Sequence, residues 1–244
     1  MRFSLFAIPF LSAVSFAMIS PAAEITVESG PARTNLLELF TSEGCSSCPP
    51  AESWFSSLRE SPRLWKDIVP IAFHVDYWDS LGWPDPLASK SYTDRQQRYA
   101  AAWGANSVYT PGFVLDGKEW RARDLDSIPA SKAETGRLSA TVSDNGDVRI
   151  SFHPSSGTGA KWEAHAALLG FGIRSNVRAG ENSGRTLVHD FAVLSIEAAP
   201  MGGDSPGAVL HLPAGQIKHA QTALAVWITE AGGIEPVQAA GGYL

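Results

Sequence analysis

The sequence holds two cysteines, Cys45 and Cys48, with two serines between them. A disulfide across so short a loop removes little entropy from the unfolded chain, so a structural staple is poorly motivated. Structural zinc asks for four ligands, yet no other cysteine exists and the nearest histidine, His74, sits in a separate strand-like run. The spacing therefore points to redox chemistry, in which one thiolate attacks a disulfide and its neighbour resolves the mixed disulfide. Pro49 and Pro50 suit a first helical turn, and Ala51, Trp54, Phe55 and Leu58 recur at helical spacing until Ser61-Pro62. This puts Cys45 at a helix N-terminus, where free amides and the dipole favour a thiolate. Cys45 is expected to be the exposed nucleophile and Cys48 the buried resolving thiol.

The pair must be held by the elements around it. Residues 34–40 read as a strand and 41–44 as a loop. Residues 69–75 form a short apolar run that suggests a buried strand, preceded by a weak helix over 64–68, which gives a βαβ order. Residues 76–86 form an aromatic-rich loop. Ala88, Tyr92, Tyr99 and Trp103 share one face of a helix over 87–103, and residues 108–115 read as a strand ending in an Asp116-Gly117 turn. His74, Asp76, Tyr77 and Trp78 then fall at the carboxyl ends of the sheet, where such folds open a ligand crevice, and are candidates for substrate binding. The plainer alternatives are a loop packed on its own tryptophans and a structural histidine.

Strand, Cys-x-x-Cys at a helix start, second strand, helix and a Thr110-Pro111 opening a hairpin resemble the thioredoxin superfamily over residues 35–128. The resemblance implies that Pro111 is cis and lies beside the cysteines, and that Thr110 pairs through its backbone with the substrate chain. It also implies that Glu38 is a buried acid that moves the proton of Cys48; a strand residue facing solvent is the alternative. More narrowly, residues 38–50, the run from His74 to Asp79, and Tyr109-Thr110-Pro111 resemble the bacterial secreted family called domain of unknown function 1223. That family implies a thioredoxin-like fold and names no substrate. Residues 178–190 resemble a further motif of the same family.

From Arg137 the texture changes. Leu138, Ala140 and Val142 alternate, residues 143–147 turn, and Val148, Ile150 and Phe152 alternate again, which predicts a hairpin. Further strand-like runs at 162–170, 186–197, 208–212 and 222–229 predict a small β-sandwich. The expected fold class is thus an α/β thioredoxin-like domain over 24–134 followed by a smaller all-β, sandwich-like domain over 135–244. Five of the six histidines lie in this second half without metal-ligand spacing, so neither a metal nor a cofactor is expected. Glu181, Arg185 and His189 lie in a polar run where Gly180 and Gly184 imply a tight turn. That run is expected to pack against the first domain and border the active-site groove, with ion pairs across the turn as the plainer reading.

Among 244 residues, 19 are lysine or arginine and 25 aspartate or glutamate, a net charge of −6 with no basic run, so no nucleic-acid partner is expected. Apolar residues make up 44% and charged residues 18%, enough to bury a core. Arg2 precedes a charge-free stretch over 3–19 and small residues over 20–23, which reads as a signal peptide occupying 1–23. The remainder is expected to be periplasmic or secreted, without a membrane span. The expected activity is thiol–disulfide exchange with a protein or small-molecule thiol or disulfide. The alternatives are a soft-metal module holding copper on Cys45, Cys48 and His74, and a non-catalytic protein that binds a partner.

Overall fold

The computed structural model describes residues 24–121, 124–156, 159–202, 206–213 and 221–244. The expected signal peptide, residues 1–23, lies outside the described residues. In chain order the first part runs β1 (Ile25–Glu28), β2 (Asn35–Thr41), α1 (Cys48–Ser57), β3 (Ile68–His74), α2 (Lys90–Ala102), β4 (Gly112–Leu115) and β5 (Lys118–Glu119). Among the described residues, a short 3-10 turn at Leu125–Ser127 is followed by the strands β6 (Gly136–Val142), β7 (Asp147–Pro154), β8 (Trp162–Gly170), β9 (Ile173–Asn176), β10 (Thr186–His189), β11 (Ala192–Pro200), β12 (Gly207–His211), β13 (Thr222–Glu230) and β14 (Pro236–Tyr243).

These strands correct the expected fold class. Strand accounts for 44% of the chain and helix for 15%, and one mixed sheet of eight strands, ordered β14-β13-β8-β11-β3-β2-β4-β5, draws on both halves of the sequence. An α/β thioredoxin-like domain followed by a smaller β-sandwich is therefore not what the chain forms. The join is made at β11, whose first residue, Ala192, pairs in parallel with Ala72 of β3. Pro70 is compatible with this central strand because the β11 ladder begins only at Ala72, so the missing amide of Pro70 costs no bond. The predicted helix over 64–68 is a turn, with Trp65 at φ 63° and Leu64 bridged to Ile68.

A second, four-stranded sheet, β1-β6-β7-β12, covers one face of the β8–β13–β14 end. Leu138, Ile150 and Phe152 meet Leu168, Leu224 and Val226 there, while the alternate residues of β13, Ala223, Ala225 and Trp227, face the other core. Burial on both faces explains why β13 reads as an unbroken apolar run. Gln238 of β14 lies buried at the seam, its Nε2 donating to the carbonyls of Ala32 and Gly136 and its Oε1 accepting from the Thr34 amide. At the other end, α1 and α2 lie on opposite faces of β2 and β3. Phe55 of α1 meets Phe113 and Phe191, whereas Tyr92 and Tyr99 of α2 meet Phe73 and Phe40.

Candidate functional site

Cys45 and Cys48 are joined in a disulfide, with Cα atoms 5.4 Å apart. Helix α1 begins at Cys48, with prolines next in its first turn, so the helix start belongs to Cys48 and Cys45 lies in the turn before it. Cys45 is 1% and Cys48 0% exposed, which corrects the expectation of an exposed Cys45. The cover comes from the β9–β10 hairpin, a detour between neighbouring strands β8 and β11. Asn182, at its tip and fully buried, donates from Nδ2 to the carbonyl oxygens of Glu43 (2.8 Å) and Cys45 (2.9 Å). Glu181 accepts from the Ser46 amide at 3.0 Å, and Arg185 donates to Asn182 Oδ1 at 2.7 Å. Glu181, Arg185 and His189 are thereby brought to the cysteine turn.

Beneath the disulfide lies a buried cluster of carboxylates and imidazoles. Thr41 and His74 are register partners on β2 and β3, and their side chains share the α1 face. Thr41 Oγ1 donates to Glu52, which stands one helical turn beyond Cys48 on α1. His189 Nδ1 meets the other Glu52 oxygen at 2.6 Å, and His189 Nε2 meets Glu43 Oε1 at 3.1 Å. The second Glu43 oxygen accepts from Trp83 Nε1 (2.6 Å) and Ser175 Oγ (2.9 Å). His74 Nδ1 lies 2.7 Å from Asp85, whose carboxylate is also fixed by the amides of Glu43 and Leu87. The two imidazole rings meet edge to face, centroids 4.8 Å apart. Burial opposes the charge on His189, but hydrogen bonds donated by its ring to both glutamates outweigh it and push its pKa up to about 10. Burial likewise works against ionising Glu52 and Asp85, and the neighbouring imidazoles hold both below the usual carboxylate range.

Glu38 is buried but elsewhere. It lies three residues from Thr41 and so on the opposite face of β2, where it pairs with Arg95 of α2 at 2.6 Å and accepts from Tyr99. A proton relay from Glu38 to Cys48 would have to cross the sheet, so the acid beside the cysteines is Glu52 instead. The Thr110–Pro111 bond is cis, and the pairing of Phe40 with Gly112 puts it at the same end of the sheet as the cysteine turn. Trp78 spans the two, donating to Thr110 Oγ1 at 2.8 Å and lying so close to Gly44 that a Cβ there would sit 2.8 Å from its own. Asp76 accepts from Thr93 of α2 at 2.6 Å; Tyr77, whose hydroxyl pKa burial pushes up to about 12, donates to Gln96 of the same helix. These two fasten the loop to α2. An open groove of about 400 Å³ runs alongside, lined by Gln96, Trp103, Tyr109, Phe113 and Arg121; neither cysteine lines it.

The family model described as "Protein of unknown function (DUF1223)" matches residues 36–229. The chain belongs to the DUF1223 family. Its fold is similar to the crystal structure of a protein from Agrobacterium tumefaciens, with 27% identity, 87% of this chain and 94% of that one covered, and a TM-score of 0.61. HBP35 of Porphyromonas gingivalis shares the fold at 15% identity, with 88% of this chain and 76% of that one covered and a TM-score of 0.55. No curated protein matches. The matched span of this DUF1223 protein takes in both cysteines, the imidazole cluster and the covering hairpin. Sequence reasoning missed Glu52, Asp85 and Asn182 as members of the site. The four-residue step from Cys48 to Glu52 was a usable signal, whereas nothing in local spacing links Asp85 or Asn182 to the cysteines.

Proposed function

We propose that this DUF1223 protein exchanges disulfides through Cys45 and Cys48 with a protein or small-molecule thiol partner outside the cytoplasm. The observation that carries the reading is the closed pair at the head of α1, in a chain with no other cysteine. The proposal rests on this chemistry and not on a thioredoxin fold. In the reducing direction, the Cys45 thiolate attacks a substrate disulfide and forms a mixed disulfide, releasing one substrate thiolate. Cys48 then attacks the Cys45 sulfur, closing the internal disulfide and releasing the second substrate thiolate. Two electrons have passed to the substrate, and a dithiol donor returns them; the oxidising direction is the reverse. Cys45 must be uncovered for the attack, and the polar tip around Glu181 and Asn182 is the part that has to move. The groove beside Thr110–Pro111, with Tyr109 exposed at its rim, offers a surface for the substrate chain.

The test is trapping. With Cys48→Ala, the mixed disulfide on Cys45 has no internal thiol to release it, so thiol-sensitive adducts should accumulate when the protein is expressed in its own host. Cys45→Ala should trap none. Absence of adducts from both variants, with a wild-type disulfide that dithiols do not reduce, would sink the proposal.

A further inference from the structure

Three features of the cluster beneath the disulfide converge on one ligand. One donor atom each from Glu52, His74 and His189 lies within 4.8 Å of the others. His74 is only 1% exposed and its Nε2 has no hydrogen-bond partner, although a buried ring nitrogen normally finds one. Its Nδ1 is held by Asp85, which fixes the ring and leaves the Nε2 lone pair free to bind. His189 is arranged in the same way, with Nε2 held by Glu43 while Nδ1 meets Glu52. Each imidazole thus has a carboxylate on the nitrogen that does not face the cluster's centre, the support that orients metal-binding histidines.

Charge gives an independent reason. Glu43, Glu52 and Asp85 are buried together, and among the described residues only the two imidazoles pair with them. With the His74 Nε2 lone pair free, only the His189 ring can carry a positive charge, so three carboxylates face one imidazolium and two negative charges stay unpaired; a divalent ion in place of the His189 proton reduces that to one. Uncompensated charge in such a place is expensive, and a cation is the remedy.

We infer that Glu52, His74 and His189 bind a divalent transition-metal cation of zinc-like chemistry. Two imidazoles and one carboxylate suit zinc and its first-row neighbours and do not suit calcium or magnesium, which take oxygen ligands. The ion displaces the proton shared by His189 Nδ1 and Glu52. Metal bonds of about 2.0–2.2 Å hold donor atoms roughly 3–4 Å apart, so the side chains draw together by about 1 Å. A fourth tetrahedral position is left for solvent. No sulfur takes part, so this site and the exchange chemistry stand or fall separately.

Zinc titration of the purified protein with its disulfide closed, followed by calorimetry, tests the inference. One ion per chain is expected, with affinity lowered about tenfold or more by His74→Ala or Glu52→Gln. Asp85→Asn, which removes the support for His74, should cost about 10–100-fold. X-ray absorption on the zinc-loaded wild type, needing no variant, should show imidazole nitrogens at about 2.0–2.1 Å. No zinc uptake by the disulfide-closed protein, uptake indifferent to His74→Ala, or zinc bound only after reduction with sulfur in its shell would each overturn it.

Discussion

Replacing Asn182 by alanine should unlatch the cysteine turn. The buried amide makes two hydrogen bonds to that turn, to the carbonyls of Glu43 and Cys45, and both are lost when the hairpin tip lifts. At a net 0.5–1.5 kcal/mol per neutral bond, the pair holds the closed state by roughly 2 kcal/mol. With 1.4 kcal/mol per factor of ten, the open population should rise about 30-fold in Asn182→Ala. Reduction of a disulfide that is reached only through opening should accelerate by the same factor. The assay is reduction by a small dithiol without denaturant, quenched with an alkylating agent and read by mass. A control on the same hairpin is Thr186→Ala, which removes only a bond to Asn176 and should stay within about twofold. If Asn182→Ala is reduced at the wild-type rate while its urea midpoint falls, the tip is not the cover and the reasoning fails.

Two further outcomes follow from groups away from the cysteines. Arg95→Met strands the fully buried Glu38 carboxylate and should cost about 3–5 kcal/mol in urea unfolding, yet leave the reduction rate unchanged because the pair sits on the opposite face of β2; a rate that falls with stability would restore Glu38 as a proton carrier. His165, stacked on Trp227 and bonded to Thr229, has its pKa pushed down to about 3 by burial, with Arg95 and Arg98 adding to it. The folded value lies below the unfolded one near 6.5, so its stabilisation is present above about pH 6.5 and is lost as pH falls toward 3. Between pH 7.5 and 5 this amounts to about 2 kcal/mol of lost stability, which His165→Gln should abolish relative to wild type in paired urea titrations.

Much of the local structure was legible. The alternation at Leu138, Ala140 and Val142 and again at Val148, Ile150 and Phe152 gives β6 and β7, and Pro49-Pro50 marks the start of α1, one turn later than placing Cys45 at the helix end would have it. What periodicity cannot carry is partnership. The runs of β8 and β13 read as sandwich strands because they are buried on both faces, but a strand buried on both faces also suits the middle of a large mixed sheet, and only the distant Ala192–Ala72 pairing decides between them. Glu38 shows the same limit at the site: an acid within a strand before the cysteines is visible in the sequence, while the side of the strand it takes depends on Arg95, 57 residues away. The motif around Glu181 and His189 was found because its residue types are distinct, yet the residue making the closest bonds, Asn182, was the least conspicuous among them.

The geometry also shows why the cysteine turn and the imidazole cluster form one structure, although the roles proposed for them are separate. Glu43 precedes Cys45 by two residues, and every polar group it carries is engaged. Its carboxylate takes His189, Ser175 and Trp83; its carbonyl takes Asn182; its amide gives to Asp85. Three of those five partners belong to the segment from β9 to β10, so the position of Cys45 is set by the hairpin as much as by β2. The carboxyl ends of parallel strands ordinarily leave a crevice. Here β2 and β3 end beneath a hairpin inserted between β8 and β11, and the crevice is filled with paired charge. Such a filling is a poor source of stability compared with apolar packing, and it leaves His74 Nε2 without a partner. Apolar side chains would have closed that end with less charge to bury, which is the physical reason for proposing chemistry at the buried imidazoles and the covered disulfide.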